Sequence, residues 1–101
     1  MMETATLINT EKLEKAAFIL KTIAHPLRIA IVDLLSKQGK LSVGEITDIL
    51  GSEQSLTSHH LSNMKLKGVL DSERDGQKIL YYLKMEEVIG VLKCMSSCDT
   101  I

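Results

Sequence analysis

The sequence predicts a mainly α-helical domain with four helices, a β-hairpin and a final helix, in the order α-α-α-α-β-β-α. Three observations predict this order. Apolar residues recur at helical spacing in several segments, the Asp75-Gly76 pair lies between two β-prone runs, and 101 residues suffice for one hydrophobic core. We therefore expect a single domain over residues 1–101, with flexible termini at about residues 1–9 and 98–101.

The composition is that of an ordinary globular protein. Apolar residues make up 45% of the chain and charged residues 25%, and the net charge is −1. No apolar run approaches the roughly 18 to 20 residues that cross a bilayer, and the N-terminus lacks the basic and apolar stretches of a secretory signal. These features predict a cytoplasmic protein with no membrane partner.

The first predicted helix spans about residues 10–24 and is apolar on more than one face. One stripe at helical spacing contains Leu13, Ala16, Ala17, Leu20 and Ala24, whereas Phe18, Ile19 and Ile23 lie off that stripe. A helix with two apolar faces needs two partner surfaces. In so small a protein, we expect the second surface to belong to another subunit.

The second and third predicted helices have clear start signals. Proline suits a first helical position, so the second helix starts at Pro26, and His25 is expected to be its N-cap. Its apolar stripe contains Leu27, Ala30, Ile31, Leu34 and Leu35. The third helix begins with a capping box, in which Glu45 follows Ser42 by three residues, and it ends at Gly51.

The fourth predicted helix, about residues 53–67, has a thin apolar face and a polar face. We expect the apolar face to contain Leu56, Leu61, Met64 and Leu66. The opposite face carries short hydrogen-bonding side chains and a cation, which are Ser55, Ser58, His59, Ser62 and Lys65. A short helix, a tight turn and a polar-faced helix are typical of a helix-turn-helix, whose last helix enters the DNA major groove.

A hairpin follows directly and completes the winged form of the helix-turn-helix. The Asp75-Gly76 pair predicts a type I′ turn, which requires positive φ at its central residues. A last helix over about residues 85–97 has an apolar stripe of Met85, Val88, Ile89 and Leu92. Cys94 and Cys98 lie on roughly the opposite side of that helix.

Five strings together resemble the ArsR/SmtB family of bacterial winged-helix repressors. They are LKTIAHPLRIAI at residues 20–31, SVGEI at 42–46, QSLTSHHLS at 54–62, KGVL at 67–70 and RDGQK at 74–78. The resemblance covers about residues 13–92. It implies a homodimer held by the first and last helices, an imperfect palindromic operator, and release of DNA by a metal ion, metalloid or redox signal. Ser52 and Thr57 depart from the family, which usually has Leu and Val there, so softer packing is expected.

The candidate DNA-binding residues lie on the fourth helix and the wing: Gln54, Ser55, Thr57, Ser58, His59, Ser62, Lys65, Arg74 and Lys78. Gln54 suits adenine, and the cations suit phosphates or, for Arg74, the minor groove. Thr57 borders the core-facing side and is expected to contribute only partly. His60 is expected to be structural. The resemblance implies that DNA binding needs no cofactor.

Three interpretations of the inducer remain open. The third helix lacks cysteine and no histidine follows Tyr82, so the family's metal sites in those positions are not expected. Cys94 and Cys98 lie four residues apart, so they could bind a soft metal or metalloid ion, supplemented across a dimer. They could instead undergo oxidation to a disulfide or polysulfide, or be incidental thiols.

No arrangement of a nucleophile and a base, glycine-rich phosphate loop or supported carboxylate pair is present, so an enzyme is not expected. We therefore predict a sequence-specific repressor of double-stranded DNA that responds to a small signal. The alternatives are a winged-helix regulator without a ligand and a winged-helix module for protein association.

Overall fold

The computed structural model describes residues 9–97 and contains the predicted order of elements with one addition. The helices are α1 Thr10–Thr22, α2 Pro26–Gln38, α3 Val43–Leu50, α4 Gln54–Leu66 and α5 Glu87–Ser96, and the strands are β1 Leu41–Ser42, β2 Leu70–Asp75 and β3 Lys78–Leu83. The strand β1 is absent from the predicted order, because a two-residue strand leaves no alternating pattern. Cys98 and almost all of the predicted flexible termini lie outside the described residues.

The three strands form one antiparallel sheet in the order β1-β3-β2. The hairpin runs from the Leu70–Leu83 pair to the Asp75–Lys78 pair at its tip. The central turn residues are therefore Gly76 and Gln77, and φ is 66° at Gly76 but not positive at any described residue other than glycine. The predicted type I′ turn is wrong, because that turn needs positive φ at both central residues. A single glycine at the first central position is instead typical of type II′.

The predicted helix starts are confirmed. The His25 Nδ1 atom accepts a hydrogen bond of 3.2 Å from the Leu27 N–H, as expected of an N-cap. At α3, Ser42 Oγ accepts from the Glu45 N–H at 3.2 Å and the Ser42 N–H donates to the Glu45 carboxylate at 2.9 Å. Helix α1 ends slightly earlier than expected, because the residue before Pro26 is disfavoured in helical conformation and His25 is extended.

One core lies between the helices and the sheet. Its buried apolar residues are Ile19, Ile23, Ile31, Val32, Leu35, Leu41, Ile46, Leu61, Met64, Val69, Leu70, Tyr81, Val88 and Leu92. Within residues 9–97, no helix combines the length and the apolar character needed to cross a membrane.

Helix α1 has two apolar faces, as predicted, but the face that packs in the core is not the predicted stripe. Ile19 and Ile23, which lie off the predicted stripe, are buried in the core. Leu20, from the predicted stripe, is 52% exposed, and Phe18 is also exposed. The larger branched side chains therefore fill the core and leave an apolar outer face on α1.

The predicted apolar face of α4 is correct for Leu61 and Met64 and wrong for Leu56 and Leu66. Both leucines are exposed, the second almost completely. Each lies five residues from Leu61, which places it about 140° around the helix from that core residue. Thr57 is buried with Leu61 and Met64, at the spacing of a helical stripe.

Candidate nucleic-acid interface

The first turn of α4 is held by a carboxylate. Glu53 is the N-cap, and its Oε1 atom accepts hydrogen bonds from the Leu56 N–H at 2.9 Å and from the Ser55 hydroxyl at 2.8 Å. The Ser55 hydroxyl, followed by the backbone donor, holds the pKa of Glu53 below its usual value. The helix end that offers polar side chains to a partner is thus fixed in position.

Four members of the predicted polar face of α4 form a continuous surface together with Gln54, and from here on the polar face means these five residues without Lys65. Its members border one surface depression and are Gln54, Ser55, Ser58, His59 and Ser62. The face offers an amide, three hydroxyls and an imidazole, which together can donate and accept hydrogen bonds. These groups match the base edges of a major groove, where all four base pairs are distinguishable.

Thr57 is buried, although it was predicted to contribute to DNA binding. Its side chain is completely buried, and its hydroxyl lies 2.8 Å from the Glu53 carbonyl oxygen and 2.7 Å from Ser52 Oγ. The prediction that Thr57 contacts DNA is therefore wrong for its side chain, because the hydroxyl faces the turn between α3 and α4. The hydroxyl pair joins the two positions that depart from the family's usual Leu and Val.

His60 has a structural role, as expected. Its Nδ1 atom accepts a 2.8 Å hydrogen bond from Arg28 Nε, and an Arg28 terminal nitrogen donates to the Thr22 carbonyl at 2.8 Å. His60 is buried, its Nε2 has no hydrogen-bond partner among residues 9–97, and its ring lies 4.4 Å from that of His25. Burial, followed by the charges of Arg28 and the neighbouring histidines, lowers the pKa of His60. Sequence reasoning missed Arg28, which connects the end of α1 to α4 across 32 positions of the chain.

Three candidate cations lie on α4 and on the wing, and they are Lys65, Arg74 and Lys78. Lys65 Nζ donates to Ser72 Oγ at 2.7 Å and so joins α4 to β2. Arg74 and Lys78 are exposed near the tip of the hairpin. Within residues 9–97, neither has a carboxylate oxygen within 4.0 Å, so both remain free to meet phosphates.

Two acidic residues of the wing have cationic partners. Glu73 pairs with Lys40 at 3.0 Å, and Asp71 lies 4.0 Å from the Lys84 ammonium. These pairs are half exposed, so each adds little stability. They nevertheless offset the negative charge that would otherwise repel a DNA backbone beside Arg74 and Lys78.

The structure tests the predicted thiol pair only in part. Cys94 is exposed on α5, and Cys98 lies outside the described residues. Within residues 9–97, no group of three or more His, Cys, Asp and Glu side chains is placed to hold a metal ion.

Similarity to known proteins identifies the family of this chain. Residues 25–72 match the family described as "Bacterial regulatory protein, arsR family". The chain is 42% identical over 84 residues to the HTH-type transcriptional regulator YgaV of Escherichia coli (strain K12), which covers 83% of this chain and 85% of the relative. The chain belongs to the ArsR family.

Two further relatives of this ArsR-family protein have names that state a role. The transcriptional repressor PagR of Bacillus anthracis is 42% identical over 89 residues, covering 88% of this chain and 89% of the relative. The cadmium resistance transcriptional regulatory protein CadC of Listeria innocua is 32% identical over 73 residues, covering 72% of this chain and 61% of the relative.

Solved structures share the fold of this ArsR-family protein. The crystal structure of PagR matches with a TM-score of 0.74 and 41% identity, over 84% of this chain and 97% of that chain. A crystal structure described as the predicted DNA-binding transcriptional regulator from E. coli matches with a TM-score of 0.78 and 41% identity, over 85% and 90% of the two chains. The winged helix-turn-helix fold is thereby confirmed.

Membership also decides the class of activity. ArsR-family proteins are DNA-binding transcriptional regulators, so this chain is a regulator and not an enzyme. The polar face of α4 lies on the last helix of the helix-turn-helix, which is the element that reads DNA in this architecture.

Proposed function

We propose that this protein is a sequence-specific transcriptional repressor that binds double-stranded DNA as a homodimer and releases it on a small chemical signal. The observation that supports this most strongly is the continuous polar face of α4, followed along the chain by a hairpin whose exposed Arg74 and Lys78 have no carboxylate oxygen within 4.0 Å among residues 9–97. A surface used only for protein association would offer an apolar or aromatic anchor at its centre. The centre of this face consists of hydroxyl, amide and imidazole groups.

Each part of the interface has its own role in this proposal. Gln54 suits a paired contact to adenine N6 and N7, and Ser55, Ser58, His59 and Ser62 reach bases or nearby phosphates. Lys65 and Lys78 meet phosphates, and Arg74 follows the wing towards the minor groove. Ser55 must exchange its bond with Glu53 for a bond with DNA, or keep it and serve only to orient the carboxylate.

The outer face of α1 supports a dimer through α1 and α5. Ala16, Ala17 and Leu20 share this exposed face, and Lys15 pairs with Glu87 at 3.0 Å, which ties α1 to the start of α5. A second copy would remove the apolar side chains from water. Two-fold symmetry would then present two α4 helices to two half-sites, which predicts an imperfect palindromic operator.

The proposed signal acts at Cys94 of α5 and at Cys98, four residues later in the sequence. Cys94 is exposed on α5, close in sequence to Cys98, and α5 belongs to the proposed dimer interface. The name of the relative CadC refers to cadmium, a soft ion that thiolates bind well. A soft metal or metalloid bound with help from the partner copy, or oxidation of the thiols, would change the packing of α5.

Operator binding under titration tests this proposal. Fluorescence anisotropy is measured with reduced protein and operator DNA while arsenite, cadmium, zinc or a polysulfide is added. We expect one additive to release DNA from the wild type but not from Cys94→Ser/Cys98→Ser. Met95→Leu, which changes the other sulfur-containing side chain of α5, is the matched control and should respond like the wild type.

The other outcomes distinguish the remaining candidate functions. Tight binding through every titration would overturn the cysteine-sensing part and leave a regulator without a ligand. Binding to DNA that does not depend on sequence, or no binding at all, would overturn the repressor and favour a module for protein association.

A further inference from the structure

Leu56 occupies an unusual place for a leucine. It is 46% exposed, although it lies in the first turn of α4 between the buried Thr57 and the exposed Ser55. Its own N–H is fixed by the Glu53 carboxylate at 2.9 Å. An apolar side chain is thus held in water at the end of the helix that offers groups to DNA.

The helical positions place Leu56 beside the polar face of α4. It lies about 140° around the helix from Leu61 and only about 60° from His59, since a helix turns about 100° per residue. Thr57, Leu61 and Met64 supply the core contacts of α4 instead. Leu56 also lies about 40° from the buried His60, so it stands at the border between the core face and the polar face of α4, on the side of His59.

A leucine can recognise only one group on a base edge. The leucine side chain cannot form hydrogen bonds, so it can contact only an apolar group. The apolar group that a base presents in the major groove is the C5 methyl of thymine. The N-terminal residues of a recognition helix are those that contact base edges. Leu66 is even more exposed, at 84%, but it lies ten residues further along, about 15 Å along the helix axis.

We propose that Leu56 is a specificity-determining residue that packs against the C5 methyl of an operator thymine. This inference rests on the proposed function, because the polar face of α4 must enter the major groove. It assigns to Leu56 a role that hydrogen-bonding residues cannot perform, namely the distinction of thymine from the other bases by shape and apolar contact.

Removal of single thymine methyl groups tests the proposal. An operator is first selected from random-sequence DNA with the wild-type protein. Each thymine is then replaced in turn by deoxyuridine, which keeps the hydrogen-bonding groups and lacks the methyl. The dissociation constant is measured by anisotropy for the wild type, Leu56→Ala, Leu56→Met and Leu66→Ala.

We expect one thymine in each half-site at which deoxyuridine weakens wild-type binding about fourfold, the value for burial of one methyl group. Leu56→Ala should bind the thymine operator more weakly and lose most of this sensitivity. Leu56→Met, which stays apolar, should retain it. Leu66→Ala should behave like the wild type throughout.

Several results would overturn the inference. They are equal sensitivity to deoxyuridine in Leu56→Ala and the wild type, no sensitive thymine at all, and loss of dimer mass in Leu56→Ala by sedimentation, which would place Leu56 at a protein interface. A wild-type protein that selects no operator would show instead that the proposed function has failed.

Discussion

At the scale of single residues, the contact between Arg28 and His60 connects the two halves of the domain. The Arg28 guanidinium bonds both the Thr22 carbonyl and His60 Nδ1, so a charged group on α2 orients a buried ring on α4. Because Nδ1 accepts this bond, the ring is neutral with its proton on Nε2, which has no partner in the described part of the chain. Protonation would place a second positive charge beside the guanidinium.

The stability of the protein should therefore fall in mild acid. The pKa of His60 is lowered from 6.5 in the folded state, so the unfolded chain binds the proton first as the pH falls. The contribution of His60 to the free energy of unfolding should be constant well above pH 6.5 and should decrease as the pH falls through 6.5. Urea unfolding between pH 5.5 and 7.5, which spans roughly one unit on either side of this value, measures the effect.

The variant His60→Gln keeps an acceptor for Arg28 and cannot titrate. Its free energy of unfolding should depend less on pH over the same range, even if it is lower throughout. An identical pH dependence in the two proteins would show that another group causes the effect.

Neighbouring residues on α4 show where sequence reasoning fails at this scale. A serine, glutamine or histidine face was recognisable from residue type and spacing. The burial of Thr57 and the exposure of Leu56 were not recognisable, because leucine is the more hydrophobic of the two and was therefore expected in the core. The spacing of Thr57, Leu61 and Met64 carried the signal, since it is the regular helical stripe.

At the scale of secondary structure, α3 depends on its start. It has eight residues, too few to be stable on its own, and its first turn is held by the reciprocal bonds of Ser42 and Glu45. The bond to the Ser42 N–H is the main reason that the pKa of Glu45 lies below its usual value. The position of α3 in turn determines how α4 is presented.

Ser42→Ala should lower the free energy of unfolding by about 1 kcal/mol, the usual value of an N-cap. The change removes the acceptor of the Glu45 N–H and should lower the midpoint of urea unfolding. Ser62→Ala, on the exposed face of α4, is the control and should leave the midpoint nearly unchanged. Equal midpoints for Ser42→Ala and the wild type would contradict the importance of the cap.

Elements with strong local signals were predictable from the sequence, and those set by tertiary contacts were not. Capping residues and Pro26 located the helix starts. The strand β1 exists only because Leu41 and Ser42 pair with Tyr81 and Leu80 of β3. The turn type followed from the register of the hairpin, which placed Gly76 first among the central residues.

At the scale of the whole molecule, charge is distributed unevenly despite a net charge of −1. Glu73 and Asp71 of the wing have lysine partners, whereas Arg74 and Lys78 have none within residues 9–97. Arg74 and Lys78 are therefore available to DNA phosphates, with the exposed Asp75 between them in sequence, although the protein as a whole is slightly acidic.

Lys78→Ala should weaken binding to all DNA sequences and reduce the slope of log K against log salt by about one unit, since one phosphate contact is lost. The measurement is anisotropy over a series of salt concentrations. Lys37→Ala is the control, because Lys37 pairs with Asp33 on α2 at 3.2 Å. An unchanged slope for Lys78→Ala would remove Lys78 from the phosphate contacts.

The strand β1 has a mechanical consequence for the regulator. Ser42 is both the last residue of β1, paired with β3 of the wing, and the N-cap of α3. Ser42 therefore belongs to both the sheet of the wing and the start of α3. A second contact between the wing and the helix-turn-helix is the hydrogen bond from Lys65 on α4 to Ser72 on β2. A rotation of α3 carries the hairpin with it, so base contacts and phosphate contacts would be lost together, in one cooperative step.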